Sequence, residues 1–80
     1  MNDILVVSDM ADLRNTRLTD SAKFNNMDFV FASRDGSKLN GWVPEVIYIT
    51  MRAQMNMASG VGHLINLRKS QGSAVVCLVS

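Results

Sequence analysis

The chain has 80 residues, 48% of them hydrophobic and 19% charged, with a formal net charge of +1. A chain of this length forms one domain, spanning residues 1–80, and buries only about 60% of the surface that its unfolded form exposes. The composition excludes a disordered chain. The charge balance lacks the concentrated basic field that nucleic-acid and membrane-surface binders need.

The first apolar run, Ile4-Leu5-Val6-Val7, follows Asp3 with no basic segment before it, so it does not read as a secretory signal. Like the later runs it is far shorter than the roughly 20 residues of a membrane helix. Cytoplasmic localisation is the expectation. Ser8 or Asp9 then offers an N-cap for a crossover helix, with Asp12 in its first turn opposing the helix dipole. Met10, Leu13 and Leu18 supply a thin apolar stripe. Arg14 and Arg17 share a face with Asp12 or Asp20, which reads as a solvated ion-pair face.

The second run is Phe29-Val30-Phe31-Ala32 and the third is Val46-Ile47-Tyr48-Ile49. Between them, Asp35-Gly36 and Asn40-Gly41 mark turns, and Pro44 ends any regular helix. Asp35-Gly36 also suits a hairpin that would pair the second run with residues 39–43 and make the sheet mixed. Beyond Thr50, the residues Met57, Val61, Leu64 and Ile65 recur at helical spacing. Arg68 and Lys69 suit a helix's last turn, and Gly72 a left-handed stop. The last run, Ala74 to Val79, contains the single cysteine, Cys77, which reads as a small buried apolar residue in a reducing compartment.

Each run is β-branched or aromatic and none alternates strictly, which is the pattern of strands buried on both faces of a parallel sheet. The order predicts a small Rossmann-like α/β domain, β-α-β-(loop)-β-α-β, with about four mostly parallel strands and two helices. Two helices are few for such a sheet. Some apolar surface is expected to stay thinly covered, with the loop around Trp42 filling one gap and a partner filling another.

Ligands of open parallel sheets bind beyond the carboxyl ends of the strands. Here those ends carry Ser8, Asp9, Ser33, Arg34, Asp35, Thr50 and Arg52. Ser59-Gly60-Val61-Gly62-His63 resembles a phosphate-cradling helix start, but no lysine occurs between residues 39 and 68, so a P-loop is absent. Ile65 occupies the third glycine position of a dinucleotide fingerprint, and close packing explains the glycines as well. His63 lacks a visible partner, and a triad with Ser33 or Ser59 and Asp9 or Asp35 lacks a nucleophile elbow. No spacing points to a metal or cofactor.

The leading expectation is a small non-enzymatic module that binds another protein or a second copy of itself. Its contact surface would be Trp42, Met51, Met55 and Met57. Small size and missing catalytic motifs suit an accessory protein of the kind that compact viral genomes encode. The alternative is a degenerate nucleotide- or phosphate-binding domain. There Arg34, Arg52 and the backbone of Ser59, Gly60 and Gly62 would hold the anion, aided by Ser33 and Thr50, with Asp9 near a ribose or metal.

Overall fold

A computed structural model describes residues 3–33 and 43–78. Four strands, β1 (Asp3–Val7), β2 (Asp28–Phe31), β3 (Val46–Ile49) and β4 (Ala74–Cys77), form one sheet in the order β2-β1-β3-β4. All three pairings are parallel. The hairpin considered for Asp35-Gly36, along with Arg34 and Trp42, lies outside the described residues.

The strand order decides how the faces are covered. A right-handed crossover that moves left and one that moves right put their helices on opposite sides of the sheet. The first crossover carries α1 (Met10–Thr19) and α2 (Ser21–Phe24). Leu13 and Phe24 from these helices pack with Leu5, Val7 and Tyr48. The crossover from β3 to β4 carries α3 (Met51–Met55) and α4 (Ser59–Ser70). Ala53, Val61 and Ile65 pack with Ile4, Val6, Val30, Ile47 and Ile49 on the other face. Successive residues of β1 therefore feed two cores, and Ile4 to Val7 are each 0% exposed. The result is a small Rossmann-like α/β domain.

Each interval expected to hold one helix holds two. Asp20 ends α1 and caps α2, its carboxylate accepting the Lys23 N–H at 3.2 Å. The second break falls at Asn56-Met57-Ala58, where the Ala58 N–H donates to the Ala32 carbonyl at 2.7 Å instead of continuing α3. That bond ties the break to the end of β2. Helix α4 ends in Gln71, and Gly72 has φ 112°, the glycine stop that the sequence signals.

Three expectations change. Of the stripe on α1, only Leu13 enters the core, while Met10 and Leu18 stay exposed. Arg17 faces the sheet rather than an ion pair: its Nε donates to the Phe24 carbonyl at 3.3 Å, and its guanidinium lies 5.5 Å from the Phe29 ring. Cys77 is exposed rather than buried: it is the last residue of β4, which lies at the edge of the sheet.

Ile47→Ala should lower stability by about 2–5 kcal/mol, through lost transfer energy and a cavity at the sheet centre. Leu18→Ala, on the exposed side of α1, should stay within about 0.5 kcal/mol of the parent. Urea denaturation of both variants checks the contrast.

Candidate functional site

The neighbouring strands β1 and β3 send their crossovers to opposite faces, so the switch point of the sheet lies between their carboxyl ends. In an open α/β sheet a ligand would enter there. In this chain the place is filled from within. Asp12 and Thr50 are each 5% exposed. The Thr50 hydroxyl donates to Asp12 Oδ2 at 2.5 Å, and the Ser8 N–H donates to the same oxygen at 2.9 Å. Thr50 Oγ also accepts the Ala53 N–H at 3.0 Å and so caps α3. Asp9 Oδ1 accepts the Asp12 N–H at 2.8 Å and caps α1.

One carboxylate therefore joins the end of β1, the start of α1 and the start of α3. Such a buried, charge-assisted network is strong because each donor would otherwise be left in a dry site. The sequence pattern placed Asp12 as a dipole partner in the first turn or on a solvated ion-pair face, whereas the side chain is buried. Its partner stands 38 residues away, and no local motif marks the pair.

The residues expected to share one crevice divide between two hollows. Ser8, Asp9 and Ser33 line an open hollow together with Met10 and Phe31. Thr50 and Arg52 line a groove of about 170 Å³ with Asp12, Thr16, Met51 and Leu78. Binding pockets for small molecules run to about 300–1,000 Å³, so this groove is too small for a nucleotide. Among the described residues the two sets share no member. The start of α1 stands between them.

The glycine step is open. A Cβ at Gly60 would meet nothing within 4 Å, and one at Gly62 would make ordinary contact with Met57 Cγ at 3.5 Å. Close packing therefore does not account for these glycines. Ser59 and His63 are exposed on α4. Among the expected contact residues Met51 and Met55 are exposed, whereas Met57 is half-buried and packs against the core.

The feature that sequence reasoning missed lies on β4. Register pairs Val46, Tyr48 and Ile49 with Ala74, Val76 and Cys77. Ala74 and Val76 thus lie on the α1–α2 side, where the helices reach only as far as Tyr48. The Lys23 ammonium sits 4.6 Å from the Tyr48 ring and forms the border of the covered area. Beyond it, Ala74 and Val76 are exposed and Leu78 is half-buried.

No protein-family model, no curated protein and no solved structure matches this chain. Among the described residues no group of three or more His, Cys, Asp or Glu could hold a metal ion, and no helix is long and apolar enough to cross a membrane.

Asp12→Ala should cost about 3 kcal/mol, since it strands the Ser8 N–H and the Thr50 hydroxyl in a buried site. For a domain of this size that lowers the melting temperature by roughly 12–24 °C. Thr50→Val should cost about 1–2 kcal/mol. The double variant should show a coupling of at least about 0.5 kcal/mol in a thermodynamic cycle. Additive effects would mean that the two side chains do not act together.

Proposed function

We propose that this chain is a small non-enzymatic interaction module that binds protein through the uncovered end of its sheet. The partner is another protein or a second copy of the chain. The observation that carries this reading is β4. It is an edge strand without a charged residue, yet Ala74, Val76 and Cys77 are exposed and Val76 keeps 39% of its surface in water. Met51, 44% exposed, extends the apolar strip past Leu78 at the carboxyl end of the groove. In a domain this small, apolar residues left open on an edge strand are costly unless a partner covers them.

The alternative, an anion held at the carboxyl edge, has less support. The Ser8 N–H that would meet an anion already donates to Asp12, and the carboxylates of Asp9 and Asp12 occupy the positive end of α1. An anion brought there meets like charge and finds fewer free donors. A ligand at a hundred times its Kd would add about 2.7 kcal/mol of stability. Thermal melts with phosphate, ADP and ATP should show no such rise.

Val76→Glu tests the main reading. It should change the melting temperature by no more than about 4 °C, because the side chain faces water in the free chain. It should weaken association by about tenfold or more, since a charge is then trapped in an apolar contact. Sedimentation velocity of the purified chain, run beside affinity capture with both forms, reads this out. A chain that stays monomeric, and that captures the same proteins with and without the substitution, would overturn the reading.

A further inference from the structure

We propose that the partner of β4 is β4 of a second copy, paired antiparallel across a two-fold axis at Val76. This inference rests on the interaction reading above and specifies its occupant. The backbone sets the demand. The amides of Ala74 and Leu78 donate to the carbonyls of Glu45 and Ile49 in the β3 direction. Backbone groups alternate along a strand, so those of Val75 and Cys77 point away from β3. Among the described residues no strand lies beyond them. What fits a row of outward N–H and C=O groups is another strand.

A two-fold axis at Val76 makes the edge complementary to itself. Val75 then exchanges both backbone bonds with Cys77 of the second copy, and Cys77 does the same with the second Val75. Val76 meets its own copy as a non-hydrogen-bonded pair, with Cα atoms about 4.5 Å apart. On the uncovered face, small Ala74 lies opposite larger Leu78 of the second copy, so the rows fill one another. In such a pairing every residue faces a residue of the same strand, and a charge would lie close to its own copy. Residues 73–78 read Ser-Ala-Val-Val-Cys-Leu and carry no charge or proline. The opposite edge differs. There β2 begins with exposed Asp28, and the Arg17 guanidinium lies over Phe29. Charge of that kind is how edges are kept from pairing.

Three variants test the pairing. Val75→Pro removes an outward amide and leaves the donors to β3 in place. It should turn a dimer into a monomer in sedimentation velocity while the far-ultraviolet circular dichroism is retained. In a Cys77→Ser background, Val76→Cys should form a disulfide-linked dimer under mild oxidation, because a Cα separation of about 4.5 Å lies within disulfide range. Ala74→Cys in the same background should not, since its own copy lies four residues along the strand. Cross-linking confined to residue 76 supports the two-fold pairing. A dimer that survives Val75→Pro, or that cross-links equally or not at all at both sites, overturns the pairing and leaves the interaction reading standing. A monomeric wild-type chain also overturns the pairing, and the interaction reading then depends on whether captured proteins are lost with Val76→Glu.

Discussion

The Asp12 carboxylate holds the place where the chain divides. Beside it, β1 turns into α1 on one face and β3 turns into α3 on the other. Oδ2 of Asp12 accepts from the Ser8 backbone and from the Thr50 hydroxyl, and that hydroxyl in turn caps α3. A buried acceptor shared by two donors fixes the relative height of two helix starts, since moving either one strands a polar group out of reach of water. The two cores follow from that placement. Leu13 and Phe24 reach Leu5 and Val7, while Val61 and Ile65 reach Ile4 and Val6.

The same bond shapes the functional possibilities. An open parallel sheet normally leaves its switch point to a ligand, with backbone amides turned toward it. In this chain the amide is used for internal joining, and the described residues expected at one site divide between a groove beside Thr50 and a separate hollow beside Ser33. Exposed apolar residues of the sheet itself lie at its edge, on β4. Among the described residues the α1–α2 layer comes from the β1-to-β2 crossover alone, at the far end of the sheet, and it reaches only to Tyr48, where Lys23 borders it. Incomplete cover is thus a consequence of strand order, and the interaction reading grows from it.

Much of the fold was legible in the chain. The four apolar runs lie within a residue or two of the strands, and their unbroken apolar character matched a parallel sheet. Asp9 as a cap, Gly72 as a stop and the basic last turn of α4 are local devices, each readable from a few neighbouring residues. The helix breaks were less legible. Asp20 competes for backbone N–H groups within its own turn, but the break before α4 depends on Ala58 bonding to Ala32, a residue just past β2 and 26 positions away in the chain.

The sequence by itself therefore determined the element types, a mostly parallel sheet and the absence of a P-loop or dinucleotide fingerprint. Each of these rests on residue type and short spacing. Tertiary structure alone decided that Asp12 and Thr50 meet, that Met57 packs inward, and that Cys77 is exposed. By composition β4 looks as buried as β1, yet β1 is the closed centre of the sheet and β4 its open edge. Composition records how apolar a strand is. Which strands flank it, and which face a helix reaches, depend on contacts between residues far apart in the chain.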